Sequence, residues 1–547
     1  MPRPPHPEAP WIEADPQTRR LNSSRRGAEF QNSILLFAGL YALGVITHIW
    51  ALHLSYYWDE AGYFVPAALD IFRHDWWVPR TTLANGHPPL VMAALALSWR
   101  LAGLHRWVTR AAMLGFYALL LAGATRLAGI YSRGAAILAP LLLGLAPLVF
   151  AQAPLALLDL PAAALILWAV YFRQRRRIFA YIACSALACI TKETAAIVPA
   201  TLAVLDIYSW LRRMRSRSTP EAKPGRSFWQ SCRPHGLAIL PLLAWLAYYH
   251  ALTGYWMGNP GFLAYNLPLA PLDLLPRFSL ALAERLWQLF VYNGAWLLVV
   301  LGLWGWRRHA DRNAAAAPLT REIAWLVGAY LFFHALIGGA ILARYLLPAQ
   351  ALLYVWLAAG LGQLPRRVWR GLAAFAIAGF FILHWFWRPP YPFPYEDNLS
   401  WASFVRLQQR AARRLATLPH AQPILTAWPA SQALAEPALG YVRRPLRVAQ
   451  VNNFNRRSLH NPPAFAVALL YSRQYQPDEA SLPGWLLPAR ALWRGWLRRY
   501  FHYQSPLSLP RLLQRLHVRP VWQAQADGQW IVIARTDYSE SMPKSAN

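Results

Sequence analysis

Charged residues and cysteines are both scarce in this chain of 547 residues. Only 14% of the residues are charged, against roughly a quarter in soluble proteins, while 56% are hydrophobic. This composition argues against a soluble enzyme. Two of the three cysteines, Cys184 and Cys189, lie inside one apolar segment, and Cys232 lies in a basic loop. We therefore expect neither a disulfide framework nor a CxxC metal site.

Acidic residues are much scarcer than basic ones. Lys and Arg together number 54 and Asp and Glu 24, which gives a net charge of +30. On a soluble protein this charge would suggest nucleic acid as a partner. Here the basic residues cluster between long apolar stretches, as they do in the cytoplasmic loops of polytopic membrane proteins. No glycine-rich phosphate loop is present. We predict a membrane protein without a nucleic-acid partner.

Apolar stretches long enough to cross a bilayer predict an all-α polytopic domain over residues 33–387, with about eleven transmembrane helices. The predicted spans are 33–54, 107–125, 134–151, 157–172, 178–191, 194–211, 236–253, 284–305, 322–341, 345–362 and 369–387. The stretch 88–104 is short and contains Arg100, so it is predicted as a juxtamembrane helix of the first outer loop.

The basic loops determine the predicted topology. With eleven spans they all fall on the side of the Arg-rich N-terminal tail, residues 1–32, and the positive-inside rule makes that side cytoplasmic. These loops are 126–133, 173–177, 212–233, 307–312 and 366–370. We therefore expect a multi-pass protein of the inner (plasma) membrane. Residues 55–87 and the C-terminal residues 388–547 then lie on the periplasmic side.

Residues 388–547 predict a small α/β domain outside the membrane. The stretch 401–418 has the pattern of a helix with basic residues on one face. Short β-rich runs follow at 424–428, 464–471 and 530–534.

The candidate functional residues are found by the scarcity of acidic groups. Residues 33–387 contain only twelve acidic residues, and an acid near an apolar segment is costly unless it has a purpose. On the predicted topology, several polar groups fall at the outer side although they are far apart in the sequence. They are Asp59, Glu60, His87, Asp159, Lys192, Glu193, Arg344 and Tyr345. Polar groups that meet above a helical bundle are what a membrane-embedded active site requires.

These residue types suit group transfer from a lipid phosphate. Asp59 is predicted as a general base toward a hydroxyl or amine acceptor. Lys192 and Arg344 are cations that can neutralise a phosphate leaving group, and Asp159 is placed to orient the acceptor or a metal ion. A divalent metal cofactor is left open. Its candidate ligands are Asp59, Glu60, His87 and Asp159.

Five short elements in this order resemble the GT-C glycosyltransferases of the protein O-mannosyltransferase and aminoarabinose-transferase (ArnT-like) type. They are the pair Asp59-Glu60, GHPPL at 86–90, Asp-x-Pro at 159–161, TKE at 191–193 and RYLLP at 344–348. The resemblance covers roughly residues 30–360. His87 stands where the aminoarabinose enzymes have a lysine, and TKE replaces their TKGP, which is closer to the mannosyltransferase-like group.

The resemblance implies a GT-C fold and an inverting transfer, metal-assisted or metal-independent, of one sugar from a polyprenyl-phosphate donor to an acceptor outside the membrane. Asp59 resembles the family's catalytic acid and Asp159 its second acid. Lys192 and Arg344 resemble contacts to the phosphate or lipid head. Together with Glu60 as a catalytic residue and His87, Glu193 and Tyr345 as substrate contacts, these residues make up the predicted site.

Alternatives remain at this point. The same residues suit a carrier or flippase that binds a polyprenyl-linked lipid without catalysis, and a scaffold protein is a third hypothesis. The alternative interpretations of the single residues are a helix cap for Asp159, a local ion pair for Lys192 and Glu193, and packing or snorkelling at the interface for His87, Arg344 and Tyr345. The sequence leaves open whether the sugar is a hexose or a pentose and whether the acceptor is a lipid, a glycan or a protein.

Overall fold

A computed structural model describes residues 16–83, 86–215, 228–258, 260, 274–308, 317–418, 423–477, 483–501 and 503–536, with side chains from residue 31 onward. The N-terminal part of this structure is a bundle of helices. They are α1 Pro16–Thr47, α2 Val65–His74, α3 Leu90–Ala102, α4 Arg106–Ala128, α5 Arg133–Leu145, α6 Pro147–Gln152, α7 Asp159–Gln174, α8 Ile178–Cys189, α9 Ile197–Arg215, α10 Phe228–Thr253, α11 Leu274–Phe290, α12 Ala295–Arg307, α13 Ala317–Ile337, α14 Leu347–Gly362 and α15 Arg367–Phe386.

The bundle belongs to a multi-pass membrane protein. Within the described ranges, six helical stretches are long and apolar enough to cross a bilayer, and shorter apolar helices accompany them. The six are Arg106–Ala128, Glu193–Arg215, Phe228–Thr253, Leu274–Arg307, Ala343–Gly362 and Arg367–Phe386. The total of eleven spans and their orientation stay predictions. Two helices, Val65–His74 and Leu90–Ala102, lie in the predicted first outer loop.

The helices differ from the predicted spans most clearly in three places. The first helix runs from Pro16 to Thr47, so it extends into the predicted tail and ends before the predicted limit at residue 54. The span 134–151 is divided at Ala146, since Pro147 disfavours helical backbone at the residue before it. The span 284–305 is divided between α11 and α12, where Asn293 and Gly294 adopt positive φ angles of 53° and 79°.

Glycines allow two bundle helices to approach each other closely. A Cβ built on Gly305 of α12 would lie 2.0 Å from the carbonyl oxygen of Gly360 on α14, and one on Gly360 would lie 2.2 Å from the carbonyl oxygen of Gly302. Small residues at such contacts let helix backbones pack without an intervening side chain, which is a common device in membrane proteins.

The C-terminal part is a small α/β structure, as predicted. Its helices are α16 Ser400–Leu415, α17 Ala430–Ala435, α18 Leu486–Phe501 and α19 Leu509–Leu516. Its strands are β1 Ile424–Ala427, β2 Val448–Val451, β3 Val467–Tyr471, β4 Val518–Ala526 and β5 Gln529–Thr536. The sheet order is β2-β1-β3-β5-β4, in which β2, β1 and β3 are parallel and β5 and β4 are antiparallel.

The first outer loop and the C-terminal part share one hydrophobic core. Tyr57 of the loop packs with Trp401 and Phe404 of α16. The Tyr441 hydroxyl donates a hydrogen bond of 2.7 Å to the backbone carbonyl of Tyr56. The predicted boundary at residue 388 therefore divides the chain but does not divide the core, because the loop packs with the C-terminal part.

The close glycine contact predicts that alanine destabilises the protein at Gly305 but not at a glycine outside the contact. Gly305→Ala should lower the free energy of unfolding by about 1–3 kcal/mol, since its methyl group would overlap the Gly360 carbonyl. The matched control is Gly328→Ala in α13, where no atom lies within 4 Å of the added Cβ and higher helix propensity should leave stability equal or raised. Unfolding in mixed micelles measures both variants. Equal stabilities for the two would contradict the packing.

Candidate active site

Asp59 lies at an unusual backbone site in the segment between α1, which ends at Thr47, and α2, which begins at Val65. Trp58, the residue before it, has φ of 37°, a left-handed conformation that is strained for a bulky side chain. A π-helical turn, Glu60–Phe64, begins immediately after it, and such turns are frequent at functional sites. This backbone sends the two neighbouring carboxylates, Asp59 and Glu60, to different partners.

Arg344 is the centre of a buried cluster of charged groups. Its Nη2 donates to Asp59, although the two residues are 285 positions apart in the chain. Its Nε lies 3.1 Å from Glu396 Oε1 and 3.8 Å from Asp159 Oδ2. The Arg344 side chain is only 4% exposed, so the carboxylates supply the compensation that a buried cation needs. The fold thus brings three distant acids to one guanidinium.

Lys192 adds a second cation to the cluster. Its Nζ donates to Asp159 and lies 4.1 Å from the centroid of the Tyr345 ring. The guanidinium carbon of Arg344 lies 5.5 Å from the same ring, so Tyr345 contacts both cations. The cluster therefore contains one contiguous group of side chains that suits the binding of a phosphate. Its members are Lys192, Asp159, Arg344 and Tyr345.

The cluster holds more carboxyl groups than cations. Asp59, Asp159 and Glu396 face two cations, Arg344 and Lys192. Burial raises the pKa of Glu396 to about 8, although the nearby Arg344 acts in the opposite direction. Burial also raises the pKa of the neighbouring Asp397 to about 7; its Oδ2 accepts a hydrogen bond of 2.9 Å from the Tyr292 hydroxyl. Near neutral pH one of these two carboxyl groups, Glu396 or Asp397, therefore retains a proton.

His87 and Glu193 form a pair beside the cluster. His87 Nδ1 lies 2.9 Å from Glu193 Oε2, and Glu193 follows Lys192 in the chain. His87 also lines an aromatic cleft together with Phe64, Trp245 and other residues. The predicted substrate contacts are thus adjacent in the structure, with His87 between the charged cluster and an apolar cleft.

Glu60 does not join this cluster, although the sequence predicted it as a catalytic residue. Its side chain is fully buried and forms an ion pair with Arg110, which is also fully buried. Glu60 also accepts hydrogen bonds from the backbone N–H groups of Tyr57 and Ala156, at 2.7 and 2.6 Å. These contacts hold the backbone turn that carries Asp59.

The predicted metal ligands do not form a metal site. Throughout the ranges that the structure describes, no three His, Cys, Asp or Glu side chains come together as a ligand group. Of the four predicted ligands, Asp59 and Asp159 contact the Arg344 and Lys192 side chains, Glu60 contacts Arg110, and His87 contacts Glu193. These residues do not fit a resident divalent ion in this arrangement.

Two acidic residues of the site were missed by the sequence analysis. Glu396 and Asp397 lie in the segment PYEDN after the last bundle helix, outside the membrane domain in which acids were counted. A signal for them was present. Like Asp59 and Glu60, they are a pair of adjacent acids that follows a membrane helix closely and is flanked by aromatic residues.

Comparison with solved structures identifies the fold. The crystal structure of ArnT from Cupriavidus metallidurans bound to undecaprenyl phosphate has a TM-score of 0.52 and 15% identity, and the match covers 93% of this chain and 99% of that one. Its apo state gives the same score and identity, with 92% and 98% coverage. The Archaeoglobus fulgidus oligosaccharyltransferase in complex with Zn and sulfate has a TM-score of 0.43 and 12% identity, with 93% and 74% coverage.

The structure is therefore a polytopic helical bundle joined to a small α/β part, and the ArnT crystal structure matches it nearly from end to end. It has the GT-C fold, which confirms the fold that the sequence motifs predicted. Neither a protein-family model nor a curated protein matches the sequence.

The two neighbouring acids should respond differently to loss of charge. Glu60→Gln should lower the free energy of unfolding by about 3–5 kcal/mol, because it leaves the Arg110 guanidinium buried without a counter-ion. Asp59→Asn should cost far less, since Arg344 keeps Glu396 and Asp159 as partners. Chemical unfolding of both variants in micelles measures the difference. A smaller loss for Glu60→Gln than for Asp59→Asn would contradict these assignments.

Asp397 predicts a pH dependence of stability. Its pKa is about 7 in the folded protein and about 3.9 in an unfolded chain, so between these values the folded state binds more protons. Stability should therefore fall as pH rises from about 4 to 7. Asp397→Asn should reduce this fall, while Asp75→Asn, on an exposed side chain, should leave it unchanged. Tm measured from pH 5 to 8 tests this, and identical slopes for all three proteins would contradict it.

Proposed function

We propose that this chain is a glycosyltransferase that moves a sugar from a polyprenyl-phosphate donor to an acceptor on the side of the membrane that carries the C-terminal part. The observation that supports this function most strongly is the convergence of Asp59, Asp159 and Glu396 on Arg344. One carboxylate for proton transfer beside two cations for a phosphate is the set of groups that this reaction needs.

The donor site is formed by Arg344 and Lys192, with Tyr345 between them. A departing lipid phosphate develops negative charge, which two buried cations stabilise strongly. The GT-C structure of ArnT contains undecaprenyl phosphate, and this supports a polyprenyl phosphate as the leaving group here. His87 and Glu193 border the same group and are proposed as further substrate contacts.

Asp59 acts as the general base. In this structure its carboxylate is bound to Arg344. A donor phosphate that binds Arg344 competes with that contact and leaves the carboxylate available to the acceptor. Asp59 then takes the proton of the acceptor hydroxyl, while the oxygen of that hydroxyl attacks the anomeric carbon of the donor sugar. The bond from that carbon to the phosphate oxygen breaks, its electron pair stays on the phosphate, and the configuration of the sugar inverts.

Asp159 positions the two cations, because it contacts both Lys192 and Arg344. No step in this mechanism requires a metal ion. We further propose that the protein lies in the inner membrane with its N-terminus in the cytoplasm and its C-terminal part in the periplasm, since the basic loops then all face the cytoplasm.

Replacement of the base should separate binding from catalysis. Asp59→Asn should bind undecaprenyl phosphate at least as tightly as the unmodified protein, because the carboxylate that competes for Arg344 is removed. It should nevertheless transfer sugar about 10²–10⁴-fold more slowly, the usual contribution of a general base. The measurement is release of free lipid phosphate from a panel of labelled polyprenyl-phosphate sugars. Asp75→Asn, in the same outer loop, is the control.

Full activity of Asp59→Asn would exclude Asp59 as the base. Movement of intact lipid-linked sugar across reconstituted vesicles, with no release of lipid phosphate by the unmodified protein, would instead favour the carrier function.

A further inference from the structure

The parallel half of the C-terminal sheet meets the first outer loop at Trp58 and Tyr63. Strands β2, β1 and β3 are parallel, so their carboxyl ends lie at one edge. Ligands of open parallel sheets commonly bind in the crevice outside this edge. Trp428 directly follows β1, and Arg473 comes two residues after β3. Both side chains contact the first outer loop, at Tyr63 and Trp58, respectively.

Aromatic rings from both segments form a partly exposed wall beside Asp59. The centroid of the Trp428 ring lies 4.7 Å from that of Tyr63 and 5.8 Å from that of Trp58. Gly62 makes this approach possible, because a Cβ there would lie only 2.3 Å from the Trp428 ring. The indole Nε1 of Trp428 is buried without a hydrogen-bond partner. Trp58 carries the wall to the residue next to the proposed base.

Arg473 supplies a positive charge to this wall. Its guanidinium carbon lies 4.8 Å from the centroid of the Trp58 ring, and its Nη1 donates a hydrogen bond of 2.6 Å to the backbone carbonyl of Trp428. Within the described part of the chain, no carboxylate pairs with it. It thus differs from Arg344, whose charge is compensated by several acids.

We propose that Trp58, Tyr63, Trp428 and Arg473 form an acceptor subsite for a sugar that carries a phosphate or a carboxylate. This inference rests on the proposed glycosyltransferase function and adds the chemical class of the acceptor. The C–H face of a sugar ring packs well on aromatic side chains, and a guanidinium binds an anionic group through two parallel hydrogen bonds. A ring held on Trp58 presents its hydroxyl next to Asp59.

In this subsite the acceptor's anionic group and the donor phosphate bind to different cations. The donor phosphate is assigned to Arg344 and Lys192, whereas the anionic group of the acceptor is assigned to Arg473. Specificity for the acceptor would therefore come from the C-terminal part, and an acceptor without negative charge would bind less tightly.

The test is calorimetric titration of the full chain in detergent with undecaprenyl phosphate present in excess, so that the donor site is filled. The probes are glucosamine 1-phosphate, N-acetylglucosamine and inorganic phosphate. Arg473→Gln should lower the affinity for the phosphorylated sugar about tenfold or more, as expected for loss of a charge-assisted contact. Arg473→Lys should retain part of the affinity. The matched control is Arg413→Gln, on an exposed face of α16, which should bind like the unmodified protein.

Two results would overturn the subsite. One is equal affinity of Arg473→Gln and the unmodified protein for the phosphorylated sugar. The other is equal binding of inorganic phosphate and the phosphorylated sugar, because the aromatic wall would then contribute nothing. Failure of undecaprenyl phosphate to bind the unmodified protein would count against the proposed donor instead, and the comparison at Arg473 would still decide the subsite. Arg473→Lys allows that comparison even when Arg473→Gln does not fold.

Discussion

The buried charge of Arg344 is the constraint on which the rest of the site depends. A guanidinium that is almost fully removed from water must be surrounded by anionic partners, or the fold is lost. Those partners come from the first outer loop, from the start of α7 and from the segment that leads into the C-terminal part. One cation therefore fixes the relative positions of three regions that are far apart in the chain.

The same requirement explains why the cluster is suited to chemistry as well as to stability. Three carboxyl groups surround two cations, and burial raises the pKa of one of them, Glu396, to about 8, so it retains a proton near neutral pH. On the proposed function, an incoming phosphate replaces carboxylates as the partner of the cations without adding a new buried cation. The site exchanges one set of anions for another, which keeps the electrostatic cost of substrate binding small.

The sequence allowed four members of the charged cluster to be predicted, but not its complete composition. Asp59, Asp159, Lys192 and Arg344 were found because charged residues are rare within apolar stretches. Glu396 was missed because it lies in a polar segment, where an acid is unremarkable. Glu60 could not be distinguished from Asp59 in the sequence. The two side chains point to different partners only because of the left-handed backbone of Trp58 and the π-helical turn that follows.

The fold shows a similar division. The apolar helices and three strands follow from hydrophobic patterns. In contrast, β2 buries only Ala449 and Val451, and β4 is mostly exposed and contains Pro520, so neither has a clear strand pattern. The division of 284–305 depends on the backbone of Asn293 and Gly294, which hydrophobicity does not report.

On the proposed function, the shared core of the first outer loop and the C-terminal part links acceptor recognition to catalysis. Tyr57, which lies two residues before the proposed base Asp59, packs on Trp401 and Phe404. A change in the C-terminal part that moves this core therefore moves Asp59 as well. It follows that the C-terminal part cannot diverge freely to suit a new acceptor. Variation in specificity should be confined to side chains that face the crevice, such as Arg473, while the core residues beneath them keep the base in place.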